Sequence, residues 1–343
     1  MMMLSILLYH KTACKASGKG PNAGFRDVYR MLRRGGSANS SGNFPECWIR
    51  EKAKSIKEEQ MNPVGEPYRF QGASQYVLDE ELSKIVNVSM ALEMPLLLKG
   101  EPGTGKTMLA HAIAESLAMP LIVLNVKSSM KLLDALYQYD TLTRLNDSRF
   151  GDSKREVSNI EEYIRMGKIG QAFVSDCRTV LLIDEIDKAD TDFQDDMLDV
   201  LDQMQFDIME IDKTVTARNR PVIIITSNAK KDLSDPFLGR CNFHHIAFPD
   251  PEMMRMILNV HFPDLSEELA KACLHTFYRL REFRGIEKKP ATRELINWVR
   301  ALRADPDFDL KAVENGAIPY LGVLFKKSVD MNLAIQQAGR PRK

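Results

Sequence analysis

The 343-residue chain has no run of about 20 apolar residues, the length a membrane-spanning helix requires, so no such helix is expected. Cysteine is scarce and odd in number: Cys14, Cys47, Cys177, Cys241 and Cys273 share no CxxC spacing. That pattern points away from a disulfide framework and from a zinc site. It suits a reducing cytoplasm, with each cysteine a small buried hydrophobe. Net charge is also missing, since 47 Lys and Arg balance 47 Asp and Glu. The balance excludes a strongly basic nucleic-acid binder and a strongly acidic disordered chain. No internal repeat is visible. What remains is an ordinary globular composition, 44% apolar and 27% charged, at a length that suits two cores better than one.

The charge is unevenly placed. The first sixty residues hold eleven Lys and Arg against five Asp and Glu, which leaves 36 against 42 for the rest. Stretches such as Arg33-Arg34-Gly35-Gly36-Ser37 have no apolar period, so residues 1–61 read as a basic, disordered extension. The apolar opening Met1 to Tyr9 lacks a positive segment before it and fits neither a signal peptide nor an anchor.

From Asp79 helical periodicity begins, with Leu82, Ile85, Val86 and Met90 on one stripe behind an Asp cap. Short continuous apolar runs follow at 95–98, 121–124, 180–183, 222–225 and, less cleanly, 243–248. Unalternating runs of this length are strands buried on both faces, as in a parallel sheet. Helical stripes lie between them. One is Leu109, Ala112, Ile113 and Leu117; another is Phe193, Met197, Leu201 and Met204, with Thr191 as its expected N-cap. Alternating strands and helices predict a doubly wound α/β sheet domain over 62–249. After Pro249 only helical stripes remain, which predicts a small all-α domain over 250–343. The polar stretch 140–170 reads as a loop or insertion.

Three strand ends carry chemistry. Gly100-Glu101-Pro102-Gly103-Thr104-Gly105-Lys106-Thr107 fits G-x-x-x-x-G-K-[ST] without mismatch, after a predicted strand and before a predicted helix. Its glycines let backbone N–H groups converge on phosphate, and the helix that starts here turns its positive end to the same anion, with Met108 the last of the expected nucleotide-binding residues of the loop. Lys106 is expected on the β- and γ-phosphates of a nucleotide, and Thr107 on Mg²⁺. The run Val180 to Ile183 ends in Asp184-Glu185, which places one carboxylate for the metal and a second to orient and deprotonate the attacking water. The third, Ile223 to Ile225, ends in Thr226-Ser227-Asn228, where Asn228 is either a polar contact to water or γ-phosphate, or a plain turn residue.

A P-loop, an acidic strand end, a Ser-Asn strand end and a helical tail together resemble the AAA+ ATPases. Asp184-Glu185-Ile186-Asp187-Lys188-Ala189-Asp190, Thr226-Ser227-Asn228 and Arg240-Cys241-Asn242-Phe243 narrow the resemblance to the MoxR family. It covers about Tyr68 to Arg303. The resemblance implies the AAA+ strand order with a helical lid and hinge near Asp250, a homo-oligomeric ring, usually hexameric, Asn228 as sensor 1, Arg240 as the arginine finger and Arg293 as sensor 2. It also implies a partner with a von Willebrand factor A (VWA) domain and a protein client, in maturation or metal insertion. One departure stands out: relatives usually carry two consecutive arginines before the Cys, and here the first is Gly239. Either Arg240 is the finger, the reading preferred here, or the finger is missing and the ring is slow.

Other features take plainer readings. His244-His245 are packing or surface residues on a short strand, and Lys230-Lys231 with Arg279, Arg281, Arg284, Lys288 and Lys289 are solvated faces before they are phosphate or partner contacts. Two alternatives to a remodelling ATPase remain: an ATP-gated scaffold with incidental turnover, and a nucleic-acid motor. The acidic excess after residue 60 weighs against the latter. Finally, Lys57-Glu58-Glu59 must be encoded AAR-GAR-GAR, which can serve as a ribosome-binding site just ahead of Met61. On that reading translation starts at Met61. Intact mass of the natively expressed protein is then expected to fit a chain beginning at Met61, and a species beginning at Met1 rejects it.

Overall fold

Apolar runs without alternation need cover on both faces, and here helices supply it. The computed structural model describes residues 68–73, 76–150, 155–228, 231, 233–306, 308, 311, 313 and 317–338; the basic stretch 1–61 and the Met61 start lie outside them. The sheet contains β1 (Leu96–Lys99), β2 (Leu121–Asn125), β5 (Val180–Asp184), β8 (Val222–Ser227) and β9 (Asn242–His245). All pairings are parallel, in the order β2-β5-β8-β1-β9. Each expected run is a strand, with shifted ends. Pro95 has no N–H to give, so β1 starts one residue later, while the Pro95 carbonyl accepts the Asn242 N–H at 2.8 Å. The last run ends early, at His245, although the Ile246 N–H still reaches the Lys99 carbonyl at 2.8 Å.

Side-chain alternation divides the core into two layers. Leu96, Leu98, Val180, Leu182, Val222 and Ile224 face α1 (Glu80–Leu92) and α2 (Lys106–Ser116). Leu97, Leu181, Ile183, Ile223 and Ile225 face α5 (Lys168–Phe173) and α6 (Thr191–Gln203). The central strands β5 and β8 are the most deeply buried, and β2 and β9, at the edges, are only half covered.

The polar stretch expected to be an insertion or loop is a folded insertion. Between β2 and β5 lie α3 (Leu132–Leu136), β3 (Tyr137–Tyr139), α4 (Thr141–Phe150), a 3₁₀ turn at Ile160–Tyr163 and β4 (Ile164–Met166), with β3 and β4 paired antiparallel. No residue of α4 is buried, so it has no core stripe for periodicity to reveal. Polar contacts hold it instead: Asp140 accepts the Thr143 N–H at 3.0 Å, and Arg144 donates to the Tyr139 hydroxyl at 2.7 Å. A second hairpin, β6 (Gln205–Ile208) with β7 (Lys213–Thr216), was likewise not anticipated.

Helix α7 (Asp235–Gly239) precedes β9, and beyond Pro249 the elements among the described residues are helices: α8 (Pro251–His261), α9 (Glu267–Glu282), α10 (Thr292–Ala304), α11 (Leu321–Leu324) and α12 (Ser328–Ala338). They enclose a third core of Met254, Leu258, Phe277, Leu280, Trp298 and Val299. Asp250 caps α8 by accepting the Met253 N–H at 2.7 Å, ahead of a proline suited to the first helical position.

One cap differs from expectation. Helix α6 is capped by Asp190, whose carboxylate accepts the Phe193 N–H at 2.9 Å. Thr191 is already helical. The three-residue reach from cap to N3 fixes this assignment. Asp190→Ala is expected to cost about 1 kcal/mol and Thr191→Ala less than half of that, compared by urea unfolding of the two variants.

Candidate functional site

The phosphate loop leaves β1 at Gly100 and enters α2 at Lys106. Two of its glycines have positive φ, Gly103 at 84° and Gly105 at 92°, where a side chain is strained. The loop is also hemmed in. A Cβ on Gly103 would stand 2.6 Å from the Ala291 Cβ, and one on Gly105 3.4 Å from the Tyr76 ring. The loop therefore lies between the residues before α1 and the start of α10.

Lys106 is 6% exposed. Its ammonium donates to the carbonyls of Gly100 and Glu101, both at 2.8 Å. Burial pushes its pKa down, and the acids Asp184, Asp187, Glu185 and Glu101 pull it back up. Thr104 Oγ1 also donates to the Glu101 carbonyl, at 3.0 Å. Pro102 is exposed, as is Met108 on the surface of α2.

The three strand ends form one hydrogen-bonded line. Thr107 Oγ1 donates to Asp184 Oδ1 at 3.0 Å, and Thr226 Oγ1 donates to the same oxygen at 2.6 Å. Thr226 Oγ1 in turn accepts the Glu185 N–H at 2.9 Å. Asn228 Nδ2 donates to Glu185 Oε1 at 3.0 Å, and the Asn228 N–H donates to Asp187 Oδ1 at 3.2 Å. Glu185 Oε2 pairs with Lys188, which raises the lysine's pKa. Glu185 sits at φ 61°, a left-handed conformation that costs a non-glycine residue roughly 1 kcal/mol or more. The Thr226 and Asn228 bonds hold it there.

Asn228 is thus more than a turn residue, because its amide grips the Glu185 carboxylate. The Thr226-Ser227-Asn228 motif by itself assigns Thr226 no task, and the structure puts its hydroxyl between both acids. A hydroxyl one residue past a fully apolar run, two positions before Asn228, was the available signal.

The arginines divide. Arg240, at the end of α7, pairs with Asp202 of α6 and donates to the Pro236 carbonyl at 3.4 Å, and neither partner belongs to the phosphate loop. Arg293 is exposed on the first turn of α10, two residues after the Ala291 that abuts Gly103. Arg281, expected on a solvated face, is instead only 10% exposed at its side chain. Its Nη2 donates to Glu101 Oε2 at 2.9 Å and its Nη1 to the Pro290 carbonyl at 2.6 Å. Lys230 lies outside the described residues.

These residues fit ATP and Mg²⁺. A buried ammonium bonded only to loop carbonyls has a natural exchange partner in phosphate oxygens. The adjacent Thr107 hydroxyl and Asp184 carboxylate are the hard oxygen donors Mg²⁺ prefers. Among the described residues no three His, Cys, Asp or Glu side chains form a metal cage. Mg²⁺ needs none, being held through one or two protein oxygens with phosphates and water. Thr226→Val, which keeps shape but removes the hydroxyl, is expected to leave ATP affinity within about threefold and to cut turnover about tenfold or more. Steady-state kinetics beside an equilibrium binding curve checks both.

The match to a family model agrees with this geometry. Residues 96–249 match the family described as ATPase family associated with various cellular activities (AAA). Over 128 residues the chain is 32% identical to the ATP-dependent zinc metalloprotease FtsH 1 of Sorangium cellulosum. That match takes in 34% of this chain and 19% of the relative, about a fifth of its length. Among solved structures, a proline-to-glycine variant of Thermotoga maritima RuvB aligns over 79% of this chain and 73% of its own, with 17% identity and a TM-score of 0.46. The Thermotoga maritima RuvB Holliday junction branch migration motor aligns over 76% and 70%, with 17% identity and a TM-score of 0.42. The stretch that matches the AAA family, residues 96–249, contains the phosphate loop, the acidic strand end and Asn228.

Proposed function

We propose that this chain hydrolyses ATP with Mg²⁺ as a subunit of a MoxR-like ring, and that the ring uses the cycle to remodel or mature a protein client with a VWA-domain partner. The observation that carries the ATPase reading is the unbroken line Thr107–Asp184–Thr226–Glu185–Asn228 beside Lys106. Lys106 leaves its two carbonyls for the β- and γ-phosphates. Thr107 and Asp184 would hold Mg²⁺, which when bound neutralises developing charge on the phosphate oxygens. Glu185 takes the proton of the attacking water, and Asn228 fixes the carboxylate that does so.

The ring assignment draws on Arg240. Its 40% exposed side chain is tethered to Asp202 rather than to its own phosphate loop, as suits a group that acts on a neighbour's nucleotide. Arg293 would close onto the phosphates from the start of α10, with helices 250–343 as the lid and a hinge at about Asp250. The family-level role with client and VWA partner rests on the motif resemblance. The acidic balance after residue 60 continues to weigh against a nucleic-acid motor. A steep salt-dependent DNA- or RNA-binding curve reverses that.

A second reading has an observation of its own. Glu185 is held at both oxygens, by Asn228 and by Lys188, which keeps the base from water until one of them moves. A subunit built this way binds ATP as a scaffold and turns it over when a partner releases Glu185.

The test is ATPase rate per subunit against protein concentration. A ring gives a rate that climbs with concentration and falls by about 10³ or more in Arg240→Ala, with binding nearly intact. Lys106→Ala is expected to lose nucleotide binding, and Glu185→Gln to bind ATP and stall. A flat, low rate that Arg240→Ala leaves unchanged rejects the shared site and supports the scaffold. Wild-type turnover in Glu185→Gln rejects that residue as the base.

A further inference from the structure

The phosphate loop meets the helical region beyond Pro249 at two places, and one side chain governs both. Gly103 has no room for a Cβ against Ala291, so the approach of α10 to the loop is set to within an atom's width. Something must hold that register, because Ala291 itself offers only contact. Arg281, near the end of α9, reaches three separate segments. Its guanidinium stacks over the Phe248 ring at 3.4 Å from the centroid, in the segment between β9 and α8. Its Nη1 donates to the Pro290 carbonyl at 2.6 Å, and its Nη2 to the Glu101 carboxylate at 2.9 Å.

Each contact uses a different property of the group: the flat face on the aromatic ring and two separate edge donors on two oxygens. A lysine can do one of these at a time. The Glu101 side chain is 57% exposed, and an ion pair so placed adds little to stability. Its value lies in what it connects. The Glu101 carbonyl is one of the two oxygens that hold Lys106, and Pro290 stands three residues before Arg293.

We propose that Arg281 is a positioning residue that sets the Arg293-bearing start of α10 against the phosphate loop, through Glu101, Phe248 and the Pro290 carbonyl. It acts on ATP through Arg293 and touches no nucleotide itself. The inference rests on the ATPase reading above. It adds a residue on α9 to the site and gives Glu101 a task distinct from phosphate binding.

The test is a double-mutant cycle on the full chain, read as kcat and KM for MgATP with thermal unfolding alongside. Arg281→Met is expected to lower kcat about tenfold, and Arg281→Lys is expected not to restore it. Combined with Arg293→Ala, Arg281→Met adds no further loss, since a residue acting through another has nothing to add once that one is gone. Glu101→Ala, in an exposed loop position, is expected to reproduce about a threefold part of the effect with the same non-additivity. It decides the question if Arg281→Met does not fold. Wild-type kcat in Arg281→Met, or losses that multiply with those of Arg293→Ala, overturn the assignment. Absence of ATP binding by the wild-type chain defeats the ATPase reading instead, which separates the two failures.

Discussion

At the carboxyl edge of the sheet the Thr226 hydroxyl donates to Asp184 and accepts from the Glu185 amide, and both acids depend on that exchange. It requires β5 and β8 to run parallel with Ile183 opposite Ile225, so that Thr226 meets the last residue of β5. A slip of one residue would turn the hydroxyl to the other face. Apolar side chains on both faces of β5 and β8 do not by themselves oppose that slip. The polar ends do, since it would break the Thr226 bonds to Asp184 and Glu185. The strained backbone of Glu185 persists on the same account: several hydrogen bonds fix a conformation that the residue would otherwise leave.

Much of this was legible from residue types alone, because the determinants are local. A glycine-rich turn into a helix and a carboxylate pair after an apolar run place groups within a few residues of their own element, where short-range rules apply. All five strands could be read in the same way. The ends needed neighbours: Pro95 and the Ile246–Lys99 bond decide where β1 and β9 stop. Helix α4 escaped notice because it buries nothing, and the β6–β7 hairpin because its turn carries no Asn-Gly or Asp-Gly signal. For α6 both Asp190 and Thr191 can cap, and only geometry chooses between them.

Arg240 and Arg281 show the limit more sharply. Both are arginines near the end of a helix, and sequence motif alone raised the first and passed over the second. Arg281 bonds to Glu101, 180 positions away. No periodicity connects residues so far apart, and a cation in the last turn of a helix already has an ordinary explanation in the helix dipole. What distinguishes Arg281 is its place between three segments that only the folded chain brings together.

The resting position of Lys106 changes what affinity means for this loop. Its ammonium donates to two carbonyl oxygens and carries a third N–H, so on the proposed function a phosphate that takes more than that one donor does so in exchange for a carbonyl. Affinity is then a difference between two coordination sets. An anion of single charge gains little from that exchange, whereas a polyphosphate, which can also meet the amides of the loop, gains at several atoms together. On the proposed function, part of the preference for a polyphosphate over small anions comes from that exchange, before any group that recognises the base or sugar comes into play.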